Sequence, residues 1–159
     1  MRSPVRGTDP AIAALNLAAV ARRGAELLLA AHPKVTFTSG RRNVADQARA
    51  MAGNIVKNRQ WIKETYRTTP QSRQLQRWVD DHPGATTKPM IALGLATLME
   101  TWKDVERVNL SRHFAGLAFD VQPVKKDADA IKKTIRGLPG LKRFLEEEGG
   151  LVRWHAEFA

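Results

Sequence analysis

The chain has 159 residues, with 26 Lys and Arg against 16 Asp and Glu for a formal charge of +10, 43% hydrophobic residues and no cysteine. Such a length and apolar content suit one ordinary-sized core and exclude wholesale disorder, while the lack of cysteine excludes disulfide scaffolds and thiolate metal sites. A transition-metal site must therefore use Asp, Glu and the four histidines His32, His82, His113 and His155.

Asp9-Pro10 suits a helix start, and Ile12, Leu15, Val20, Leu27 and Leu28 supply an apolar face up to His32-Pro33, where the proline ends the helix. Arg22, Arg23 and Glu26 interrupt this stretch, so it cannot sit unpaired in hydrocarbon. The N-terminus carries no uninterrupted apolar segment with a small-residue cleavage site, so Sec export is not specified by the chain itself. Val35-Thr36-Phe37-Thr38 reads as a short strand that Ser39-Gly40 turns out of. A second helix is expected from near Asn43 onward toward Trp61 and Ile62, and further helices over about Ser72 to Asp81 and Pro89 to Val105, separated by His82-Pro83-Gly84.

Residues from about 55 to 108 thus form a predicted helical lobe holding Trp61, Trp78 and Trp102. Beyond it, Leu117 to Val121 reads as a buried strand, Asp127 to Leu138 and Leu141 to Glu148 as two helices, and Val152 to Phe158 as a terminal strand after Gly149-Gly150. This order predicts a single α+β domain with a small antiparallel sheet packed by helices, interrupted by the helical insertion at about 55–108.

His32 and His82 each precede a proline at a predicted helix C-terminus, where an imidazolium meets unpaired carbonyls. His113 and His155 keep different company. His113 and Asp120 lie seven residues apart with Gly116 and Ala118 between them, and a chain turning at Gly116 into a strand folds the carboxylate back toward the imidazole. In the strand-like Arg153-Trp154-His155-Ala156-Glu157-Phe158, period two puts His155 and Glu157 on one face and Trp154, Ala156 and Phe158 on the other. Two histidines and one aspartate make three ligands and leave a fourth position for water, the catalytic arrangement of zinc.

Ser111, His113, Gly116, Ala118 and Asp120 match S-x-H-x-x-G-x-A-x-D. Trp154-His155-Ala156-Glu157 resembles the W-H-x-E ending of zinc D-alanyl-D-alanine carboxypeptidases and L-alanyl-D-glutamate endopeptidases, a fold shared with Hedgehog signalling domains and vancomycin-resistance dipeptidases. Ser39-Gly40-Arg41-Arg42 followed by Gln47 resembles a third block of that family, in the same order along the chain. Phage endolysins of the family are similar in being small, cysteine-free and basic.

The resemblance implies His113, Asp120 and His155 as zinc ligands, Arg42 as the cation facing the substrate carbonyl or carboxylate, with Arg41 able to do the same job, and Gln47 and Ser111 on the substrate side. Zinc there would acidify bound water and polarise the scissile carbonyl, and an arginine would stabilise the developing oxyanion. In the resembling peptidases a general-base carboxylate lies three residues before the last histidine, where this chain has Val152; Glu157 and Glu148 are the two substitutes. Glu157 alternatively serves as a partner behind His155.

The expectation is a zinc peptidase cutting peptidoglycan stem peptides, of endolysin type, monomeric, made in the host cytoplasm and acting on the periplasmic cell wall. Its basic surface would draw it to anionic outer-membrane or envelope polymers. A zinc-containing, wall-binding module without hydrolysis is the alternative. A nucleic-acid-binding protein explains the charge and the arginine-rich lobe but none of the motifs, so no nucleic acid is expected as a partner.

Overall fold

The computed structural model describes residues 9–148 and 150–159. The order is α1 (Pro10–Ala13), α2 (Ala19–Ala31), β1 (Phe37–Ser39), α3 (Val44–Ile55), α4 (Trp61–Thr65), α5 (Pro70–Asp81), α6 (Lys88–Glu100) and α7 (Asp104–Leu110). A 3-10 turn (Arg112–Ala115) leads to β2 (Ala118–Val121), α8 (Ala128–Arg136), β3 (Leu141–Glu148) and β4 (Leu151–Phe158). The fold is α+β. Two compact units can be distinguished, residues 9–41 with 115–159, and Arg42–Phe114.

The first unit is built on a four-stranded antiparallel sheet of order β1-β2-β4-β3. Alternation along β2 and β4 turns Phe119, Val121, Trp154, Ala156 and Phe158 into a core shared with Ala21, Ala25 and Leu28 of α2 and Ile131 and Ile135 of α8. Removing a side chain such as Phe158 or Leu28 from water contributes about 1.5–3 kcal/mol each. Helix α2 lies directly on this face: a Cβ at Gly24 would stand 2.7 Å from the Phe158 ring.

The helix expected to run unbroken from Asp9 to His32 is two helices. Asp9 caps α1 and Pro10 opens it as anticipated, but Asn16 takes a left-handed conformation (φ 52°) between them. The backbone freed by this break finds partners in distant segments. Leu15 O accepts from Arg41 N–H at 2.9 Å, and Ala18 N–H donates to Gly116 O at 3.0 Å. Asn16 O accepts from Arg41 Nε at 2.8 Å.

Leu141–Glu148, expected as a helix, is strand β3. Its Leu, Lys and Glu content favours a helix locally. The hairpin with β4 overrides that preference: Phe144 pairs with Ala156, Leu145 with His155 and Arg143 with Glu157, and Gly150 takes the positive φ (82°) of the connecting turn.

The second unit is helical and starts earlier than the lobe expected at 55–108, because α3 packs along α6. The long helix anticipated from Asn43 is broken into α3 and α4, and that from Pro89 into α6 and α7. Thr69 and Ser72 form a reciprocal cap on α5. Arg59 donates to the carbonyl of Val79 in the last turn of α5 and to those of His82 and Ala85 beyond its end. Trp61 and Trp102 are buried, and Trp78 lies so close to α6 that a Cβ on Gly94 would come within 1.9 Å of it.

Candidate metal centre

His32 and His82 occupy the helix ends expected of them, as the C-cap residues of α2 and α5. His32 Nε2 lies 2.9 Å from Thr134 Oγ1, while His82 Nδ1 lies 2.6 Å from Trp78 O with its ring stacked on the indole.

The other two histidines meet a carboxylate. His113, Asp120 and His155 each offer one ligand atom, and these atoms lie within 4.8 Å of one another. Three devices position them. His113 is buried in the 3-10 turn, with its N–H donating to Ser111 Oγ at 3.3 Å. Gly116, at φ 71°, then redirects the chain into β2, and a side chain there would collide with Ala18 N and the Arg41 guanidinium. Asp120 on β2 is finally the direct cross-strand partner of His155 on β4.

A hydrogen-bonded row crosses all four strands on the sheet face opposite the core. Arg143 Nη2 on β3 donates to Glu157 Oε1 on β4 at 3.1 Å, and the same oxygen lies 3.1 Å from His155 Nε2. His155 Nδ1 is 2.7 Å from Asp120 Oδ1 on β2, and Ser39 Oγ on β1 donates to Asp120 Oδ2 at 2.9 Å. Burial disfavours the His155 imidazolium, yet hydrogen bonds to Asp120 and Glu157, with the charges of Asp120 and Glu148, outweigh it and lift the ring to about 10. Burial likewise pushes the Glu157 carboxyl up, but His155 and Arg143 overcome it and hold Glu157 down to about 2.

This donor set fits zinc. Two imidazoles and a carboxylate are ordinary zinc ligands, and around a tetrahedral ion their atoms stand about 3.4 Å apart. The 2.7 Å Asp120–His155 contact need open only slightly, with the Nδ1 proton leaving. Nδ1 would then be the His155 nitrogen turned to the ion, with Glu157 against Nε2 behind it.

The remaining expected site residues are each held by contacts of their own. Arg42 Nη1 donates to the buried Gln47 Oε1 at 3.1 Å, Gln47 Nε2 donates to Tyr66 OH at 2.9 Å, and Arg42 N–H donates to His113 O at 3.0 Å. Arg41 is engaged with Asn16, and Ser111 is buried beneath the His113 backbone. Glu148 pairs with Leu151 at the hairpin end, and its charge reaches His155.

Glu147, read in the sequence only as part of an acidic helix end, is an exposed residue of β3. Between the Leu145–His155 and Glu147–Val152 pairs, β4 carries one residue more than β3. Directly opposed residues share a face, so Glu147, two residues on from Leu145, lies on the His155 face by alternation, and the bulge brings Val152 onto the same face. Only the strand register reveals this, and a helical reading of 141–148 hides it. No protein-family model, curated protein or solved structure matches the chain.

Proposed function

We propose that this chain is a zinc-dependent peptidase that hydrolyses a peptide bond in peptidoglycan stem peptides, a cell-wall-lysing enzyme of endolysin type. The observation that carries the reading is the cluster of His113, Asp120 and His155 within 4.8 Å. They are the same three residues that the motif resemblance marks as ligands. Zinc held by them would polarise the scissile carbonyl and acidify water. Arg42, steadied by the buried Gln47, supplies a cation for the developing oxyanion, and its N–H bond to the His113 carbonyl ties it to a ligand-bearing turn. Glu157, engaged by His155 and Arg143, acts as a positioning carboxylate, which leaves proton transfer to the acidic end of β3, Glu147 or Glu148. The net charge of +10 favours capture at anionic envelope polymers. Among the described residues no helix is long and apolar enough to cross a membrane.

The test is turbidity loss of purified Gram-negative sacculi with wild type, His113→Ala, and a chelated sample given zinc again. Lysis lost in the last two and returned by zinc supports the peptidase; no lysis from folded, zinc-loaded protein overturns it. A zinc-holding wall-binding module is the second reading. It is favoured by Val152, an apolar residue 55% exposed at the position where the resembling peptidases carry their base.

A further inference from the structure

Ser39 sits on the edge strand β1, three residues long and bulged. Phe37 pairs with Val121, and regular antiparallel register would then set Ser39 opposite Phe119, on the core face. The register instead shifts by one residue between Phe37 and Ser39, and Ser39 pairs with Asp120. A bulge of this kind re-aims a side chain from one face of a sheet to the other. Phe37 stays on the core side, its ring edge-on to Phe119 at 5.3 Å. Ser39 emerges on the opposite side and donates from Oγ to Asp120 Oδ2 at 2.9 Å.

The next two residues pin this geometry. A Cβ on Gly40 would lie 2.6 Å from both Leu15 Cβ and Leu15 O, and Arg41 N–H donates to that same carbonyl at 2.9 Å. The strand exit is therefore held against the break between α1 and α2, and the bulge cannot slip without losing that contact.

We propose that Ser39 is a positioning residue for the metal centre, holding Asp120 Oδ2 so that Oδ1, the oxygen beside His155, is the one presented as a ligand. This rests on the metal-binding part of the reading above. A carboxylate with one oxygen occupied by a hydroxyl donor binds through the other alone, which keeps the coordination number low and a position open for reaction. Released from Ser39, Asp120 turns about its side-chain torsion and takes the ion with both oxygens or with neither well placed.

The experiment compares Ser39→Thr, which keeps a hydroxyl, with Ser39→Val, which has the same shape without one, in the full chain. Zinc affinity is measured by competition with a chelator of known strength, and the visible spectrum of the cobalt-substituted protein reports coordination number. Circular dichroism checks the fold of each. Ser39→Thr is expected to bind zinc like wild type and keep intense four-coordinate cobalt bands. Ser39→Val is expected to bind zinc about 10- to 100-fold more weakly and to show the fainter bands of a higher coordination number. Equal affinity and equal spectra for the two variants overturn the role of Ser39 while leaving the metal centre standing. A folded wild type that binds no zinc overturns the metal centre itself, and this role with it.

Discussion

His155 and Asp120 are bound to each other twice over, as cross-strand partners in β4 and β2 and through an Nδ1–Oδ1 contact of 2.7 Å. Since Nε2 faces Glu157 at 3.1 Å, both ring nitrogens meet a carboxylate and the ring of the metal-free chain is an imidazolium. A metal must replace the Nδ1 proton. Zinc binding near neutral pH is therefore expected to release about one proton from His155 and to tighten as pH rises. Calorimetric titration in buffers of different ionisation heat measures the number; zero would refute the charged ring.

The same ion pair sets a pH window for the metal-free protein. His155 is raised from 6.5 to about 10, so its contribution is complete below pH 6.5 and is lost as pH climbs through about 10. Glu157 is lowered from 4.5 to about 2, so its contribution is complete above pH 4.5 and is lost as pH falls through about 2. Together they support the fold most between pH 4.5 and 6.5. Urea midpoints measured across pH in the presence of chelator should fall on both sides of that window, and Glu157→Gln should flatten the acid side.

Asp120→Ala is expected to abolish stoichiometric zinc binding and also to weaken the metal-free fold. It removes the carboxylate at Nδ1 of the buried His155 ring and leaves only Glu157 at Nε2, a change that costs on the order of 3 kcal/mol. Zinc stoichiometry and chemical denaturation read the two effects separately. A variant as stable as wild type would show that the Asp120–His155 bond contributes little.

Gly94→Ala tests the packing of the second unit. The new methyl would meet Trp78 ring atoms at 1.9, 2.3 and 2.4 Å, so the indole must leave its place against α6. Overpacking of this kind costs about 1–3 kcal/mol. Adding Trp78→Leu should recover part of the loss, because the two changes share one contact.

Val152→Glu addresses proton transfer directly. Val152 is 55% exposed and lies on the His155 face, so the side chain is accommodated without disturbing the core. Its cost is a like charge opposite Glu147, about 0.2–1 kcal/mol. A positioned base contributes about 10²–10⁴-fold, so release of peptide fragments from sacculi should rise if proton transfer limits turnover. An unchanged rate on top of measurable wild-type activity would mean that the chain's own acids already suffice.

Much of this arrangement is legible from residue types and spacing. Asn43 caps α3, Pro10 opens α1, and His32 and His82 close their helices, because caps and breakers act within one turn. The alternation Trp154, His155, Ala156, Glu157, Phe158 places the histidine and glutamate opposite the core, because a strand's side chains must alternate. Leu141–Glu148 misled for the converse reason: its residues favour a helix, and only pairing with β4 makes it a strand.

The amino-acid sequence by itself determined which residues could hold a metal, the faces of β4 and the turn at Gly116, since each depends on chemistry or backbone geometry within a few residues. Only the tertiary structure decided which atoms meet. Ser39 reaches Asp120 because of a bulge in β1, and Val152 joins the His155 face because of a bulge in β4. Arg143 finds Glu157 because β3 is a strand. A one-residue shift in register moves a side chain to the other face of a sheet, and that shift is set by pairing between segments distant in the chain.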